Sequence, residues 1–162
     1  MKAAILYFSK SGHTRDMAEH IRTGMEQVSG VEARAFALSD IDKDWLHESS
    51  CVIMGCPIYM ASIPTEVKDW FDHDPLKREL AGKLGGAFAT ADYVHGGGEL
   101  GIQSILDHML VLGMLAYSGG GSFGKPVVHL GPVSVNGLSE DFSETFETYG
   151  KRMATKAVEL FG

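Results

Sequence analysis

The chain has 162 residues, with 14 Lys and Arg against 21 Asp and Glu, a formal net charge of −7 and 44% hydrophobic residues. A globular chain of this size buries roughly 70% of the surface its unfolded form exposes, so a single domain over 1–162 is expected. The acidic balance without a run of Lys or Arg argues against nucleic-acid backbone binding; the longest nearly apolar stretch, 109–116, is under half a membrane span, so a cytoplasmic location is expected.

Residues 3–8 form a continuous apolar run, the mark of a strand buried on both faces of a parallel sheet, and one too short for a signal-peptide core. From Thr14 onward Met17, Ala18, Ile21, Met25 and Val28 recur at helical spacing until Gly30 stops the pattern. Residues 31–38 read as the second strand, and 40–48 as a short acidic stretch anchored by Trp45 and Leu46. The third strand is predicted over 51–54; the spacing of Cys51 and Cys56 puts the two thiols on opposite faces, where they are expected to stay reduced. Ser62 is the candidate cap of a helix with Pro64 in its first turn, Ile63, Val67, Trp70 and Phe71 on one face, and Asp74-Pro75 at its end. A fourth strand over 84–90 is followed by a helix over 99–113, in which Ile102, Ile105, Leu106, Met109 and Leu110 fall at helical spacing. Residues 114–117 and, beyond a Gly-rich break, 127–130 supply a fifth strand interrupted by a loop. Ser139 precedes Glu140 and Asp141, acids suited to a helix start, and Phe142, Phe146, Tyr149, Met153, Ala157 and Leu160 form the buried stripe of the last helix. This alternation predicts a three-layer α/β fold, a doubly wound five-stranded parallel sheet of order 2-1-3-4-5.

Ligands of such a sheet bind beyond the carboxyl ends of its strands, and the polar and glycine signals fall in three loops there. In the first, Ser9-Lys10-Ser11-Gly12-His13-Thr14, three hydroxyls, a glycine and the following helix start make a cradle for a monophosphate; the alternative is a polar turn capped by Thr14. This loop matches neither a nucleoside-triphosphate loop nor a dinucleotide turn; residues 96–101 do fit Gly-x-Gly-x-x-Gly, but their place after the fourth strand and the lack of an acid about 20 residues on argue against a dinucleotide fingerprint. The second loop, Gly55-Cys56-Pro57-Ile58-Tyr59-Met60-Ala61-Ser62, offers a rigid, polarizable wall for a flat ring, or an ordinary cover for the sheet end. The third contains Thr90, Ala91, Asp92, Tyr93, Val94, His95 and then Gly96-Gly97-Gly98-Glu99, three glycines that permit close backbone approach to a ligand. The seven histidines show no metal-ligand spacing with the cysteines, and no metal is expected.

These loops carry a family resemblance. Ser9 to Thr14 resembles the FMN phosphate loop of flavodoxin-like proteins. Gly55-Cys56-Pro57-Ile58-Tyr59, followed by Val67-Lys68-Asp69-Trp70-Phe71-Asp72, resembles their second flavin loop and helix. Gly96-Gly97-Gly98-Glu99 resembles the third loop of WrbA-like NAD(P)H:quinone oxidoreductases. The resemblance implies non-covalent FMN held by Ser9, Lys10, Ser11, Gly12, His13 and Thr14 at the phosphate, by Pro57, Ile58, Tyr59 and Met60 at the ring, and by Thr90, Ala91, Asp92, Gly96, Gly97 and Gly98 at the pyrimidine edge. It implies an oxidoreductase passing electrons from NAD(P)H to a quinone or similar small acceptor, with Tyr59, Met60, Tyr93 and His95 around the acceptor and no side-chain nucleophile. The alternative is a flavodoxin, a one-electron carrier between protein redox partners. Relatives of the first kind imply a homo-oligomer. Cys56, Met60-Ala61 and Val111-Leu112 depart from the WrbA-like pattern, which tends to have Thr or Ser, Phe-Gly and a His there.

Overall fold

The first four strands lie where the apolar runs predict them, β1 shifted by one residue, β2 shorter by one at each end, and β3 and β4 longer than expected. In the computed structural model, which describes residues 1–138 and 140–162, β1 (Lys2–Tyr7), β2 (Glu32–Ala37), β3 (Ser49–Pro57) and β4 (Leu84–Ala91) pair in parallel in the order β2-β1-β3-β4. Every residue of β4 is buried, and Ile5 and Leu6 in β1 have no exposed surface. Helices α1 (His13–Glu26) and α5 (Ser143–Phe161) cover one face; α2 (Lys43–Glu48), α3 (Thr65–His73) and α4 (Gly98–Val111) cover the other. Cys51 packs among Ile21, Phe146 and Met153 on the first face and Cys56 among Val67, Trp70 and Ile102 on the second, as their spacing predicts.

Two glycines allow α1 and α5 to cross closely. A Cβ built on Gly150 would stand 2.1 Å from the Ile21 carbonyl oxygen, and one on Gly24 would stand 1.9 Å from that of Glu147. Lys83, just before β4, donates to the carbonyls of Leu46, His47 and Ser49 at 2.9, 2.7 and 2.5 Å, so its ammonium closes the carboxyl end of α2 where the helix dipole favours a cation. Burial lowers the pKa of this lysine.

The fifth position of the sheet is split. β5 (Leu115–Ala116) pairs with Leu84 and Gly85 at the start of β4; β6 (Val133–Val135) pairs with Ala89, Thr90 and Ala91 at its end. The order 2-1-3-4-5 therefore holds, but residues 127–130, expected as strand, belong to the excursion between the two halves. Val127 and Leu130 are exposed there, and the strand resumes only after Gly131-Pro132. Three smaller expectations also change. Ser62 does not cap α3: its backbone is exchanged with Tyr59 in a turn, and Pro64 occupies the cap position. Leu110 and Leu160 lie at solvent, because each sits on the outer edge of its helix stripe. Ser139 lies outside the described residues; the N–H of Ser143, the first residue of α5, donates to the Asp141 carboxylate at 2.9 Å, which holds that acid's pKa low.

Candidate functional site

Strand order reverses between β1 and β3, so a crevice opens beyond their carboxyl ends, and residues 8–14 form its first wall. Gly12 has φ +97°, a left-handed conformation that turns its N–H onto the Ser9 hydroxyl at 3.1 Å. No side chain caps α1, so the N–H groups of its first turn are left for an anion. The loop contains no carboxylate; Thr14 Oγ1 lies 2.8 Å from Thr90 Oγ1, both hydroxyls buried, and the Lys10 ammonium stands 5.5 Å from the centre of the Tyr59 ring.

The second wall leaves β3 through Ile58, whose N–H donates to the Thr90 carbonyl at 2.8 Å. Tyr59 and Ser62 then exchange two backbone hydrogen bonds of 3.0 Å across Met60 and Ala61, which have φ +50° and +60°. Two adjacent non-glycine residues in the left-handed region cost roughly 1–2 kcal/mol each, and such strain concentrates at ligand sites.

The third wall is the end of β4. Lys10, Ser11, His13, Thr14, Pro57, Ile58, Tyr59, Thr90, Ala91 and Asp92 line one cleft together, so most of the expected residues converge. Ser9 faces an adjoining cleft beside Trp70. Met60 (99% exposed), Tyr93 (75%) and His95 are exposed to solvent and do not line the cleft. The three glycines have a packing explanation: an added Cβ would come 2.9 Å from the Tyr93 carbonyl oxygen at Gly96, 2.8 Å from Ala61 Cα at Gly97 and 2.7 Å from Val133 at Gly98.

One lining residue is not among those expected. Asn136, just after β6, donates from its backbone to the Ala91 carbonyl at 2.7 Å and from its amide to the Asp92 carboxylate at 3.4 Å. Ser134 on β6 lies 3.0 Å from His13 Nε2 and is almost fully buried. The alternation Val133-Ser134-Val135 is their sequence signal, overshadowed by the more apolar 127–130.

A carboxylate-free, hydroxyl-rich loop at an uncapped helix start suits a phosphate monoester, and the Pro57 to Tyr59 wall opposite Asp92 and Asn136 suits a flat ring with a polar edge. Residues 5–101 match the sequence model of the flavodoxin family. The chain belongs to that family. It is 42% identical over 161 residues to a flavodoxin from Clostridium saccharobutylicum, spanning 99% of this chain and 100% of that one. An NAD(P)H dehydrogenase (quinone) from Chromohalobacter salexigens is 24% identical over 137 residues, 70% of this flavodoxin-family chain and 68% of its own length. A solved flavodoxin from the domain Archaea superposes with a TM-score of 0.78 over 98% of this chain and 99% of its own, at 24% identity, which bears on the flavodoxin fold alone.

Proposed function

We propose that the chain is an FMN-binding electron carrier serving protein redox partners. The observation that carries this reading is identity at 42% along the whole length of a flavodoxin, against 24% over about two thirds of a quinone-reducing relative. It favours the carrier over the enzyme that the third loop alone suggests.

The Ser11 hydroxyl, the uncapped N–H groups of α1 and the Lys10 ammonium are the groups for the phosphate, while the Ser9 and Thr14 hydroxyls, bonded to the Gly12 N–H and to Thr90, shape the loop around it. Pro57, Ile58 and Tyr59 form the wall for the ring, and Ala91, Asp92 and Asn136 meet its polar edge. Bound FMN supplies reversible uptake of one or two electrons; the chain binds, orients and sets the local charge. Asp92 and the net charge of −7 oppose added negative charge on the ring and so favour a low potential. Met60, Tyr93 and Val94, 99%, 75% and 62% exposed, give the mouth an apolar rim on which a partner protein can sit.

Mixing the flavin-loaded protein anaerobically with NADH or NADPH tests the choice. A carrier keeps its yellow colour with either nucleotide alone and bleaches once a flavin-dependent reductase is added. Rapid bleaching by the nucleotide alone would restore the oxidoreductase, with Tyr59, Met60, Tyr93 and His95 around a small acceptor and NAD(P)H as donor.

A further inference from the structure

The cluster Gly119, Gly120, Gly121 and Gly124 lies outside the cofactor cleft, in the excursion that splits the fifth strand. Arg152 on α5 holds this excursion in place: Nη1 donates to the carbonyls of Pro126 and Gly120 at 3.0 and 3.5 Å, and Nη2 to those of Gly124 and Phe123 at 3.2 and 3.3 Å. Gly119, Gly120 and Gly124 have φ of +77°, +67° and +92°, which lets the carbonyls converge on one guanidinium. The loop is thus a built wall, set against α5.

Between wall and helix lies a cavity of about 370 Å³, within the range of small-molecule sites, and it shares no residue with the cofactor cleft. Its charge runs against that of the molecule. Lys125, Lys151, Arg152 and Lys156 line it with one carboxylate, Glu159, in a chain of net charge −7. Arg152 is occupied by the four carbonyls and Lys156 by Glu159, whereas Lys125 and Lys151 have no hydrogen-bond or ion-pair partner among the described residues. Tyr117 and Phe123 line the same cavity; the Lys156 ammonium stands 5.9 Å from the centre of the Tyr117 ring, and Phe123 is 63% exposed although it forms part of a fixed loop.

We propose that this cavity binds a small aromatic phosphate of mononucleotide size, its phosphate taken by Lys125 and Lys151 and its ring by Phe123 and Tyr117. Two unpaired cations favour a dianion over a neutral ligand, and the aromatic faces favour a flat ring over inorganic phosphate alone. The proposal does not depend on what fills the cofactor cleft.

The test is an amide NMR titration of the protein as purified, with its flavin absorbance monitored, using AMP, adenosine and inorganic phosphate as separate probes at low salt. AMP is expected to give saturable shifts at residues 117–125 and 148–156, with adenosine and phosphate each weaker by about tenfold or more. The double variant Lys125→Glu, Lys151→Glu is expected to lose AMP binding while its far-ultraviolet circular dichroism and thermal midpoint stay those of the parent, since both side chains are exposed. Absence of saturation, equal AMP affinity in parent and double variant, or shifts confined to residues 9–14 and 57–59 would each overturn it.

Discussion

At the scale of single residues, Gly12 separates charge from conformation at the phosphate loop. Its φ of +97° burdens any side chain, so Gly12→Asn and Gly12→Asp carry similar strain and similar size. Only the aspartate adds a negative charge where the phosphate is proposed to lie. FMN affinity measured by flavin fluorescence should therefore fall about tenfold or more further in Gly12→Asp than in Gly12→Asn. Equal losses would mean that the phosphate lies elsewhere. The two cysteines give a prediction about pH. Burial pushes both thiols up to about 12, from an ordinary value of 9.0. Folded, they stay protonated; unfolded, they ionise once the pH passes 9.0, so unfolding releases protons. Their contribution is fully present below pH 9.0 and is lost as the pH climbs toward about 12, by up to about 1.4 kcal/mol per thiol per pH unit. A thiol reagent at about pH 8 should find neither cysteine in the native protein and both in denaturant. The opposite-face placement of these thiols was legible from their spacing alone. The glycines at 96–98 were harder, because a neighbouring chain segment and a ligand both demand the absence of a Cβ, and only the fold shows Ala61 and Val133 at contact distance.

At the scale of elements, close crossing of α1 and α5 is the feature most sensitive to a single methyl group. Gly150→Ala improves helix propensity by about 1 kcal/mol, but its Cβ would sit 2.1 Å from the Ile21 carbonyl oxygen, and overpacking of this kind typically costs about 1–3 kcal/mol or more. The net effect should be a loss of stability, read as a lower urea midpoint with an unchanged slope. An unchanged or higher midpoint would show that the helices separate freely. Helical periodicity made α1, α4 and α5 legible, and continuous apolar runs did the same for β1, β3 and β4. The split of the fifth strand was misread because strand pairing is a nonlocal choice. Residues 127–130 are the more apolar segment, yet Val133, Ser134 and Val135 take the ladder beside Ala89, Thr90 and Ala91. That error carried over to the site, since Asn136 reaches the cleft, and Ser134 reaches His13 behind it, only through this pairing.

For the whole molecule, the doubly wound topology gathers three loops and the end of β6 into one crevice, while the central strands β1, β3 and β4 are covered by helices on both faces. A carrier of this kind leaves the redox chemistry to its cofactor, and the crevice supplies the groups that bind and orient it. The central claim concerns what occupies the crevice. Flavin-free protein titrated with FMN and, in parallel, with riboflavin tests it most directly. FMN should quench on binding at a one-to-one ratio, and riboflavin, which lacks the phosphate and its charge-assisted hydrogen bonds, should bind at least about a hundredfold more weakly. No quenching by FMN, or equal affinity for the two flavins, would contradict the phosphate loop and with it the assignment of the site.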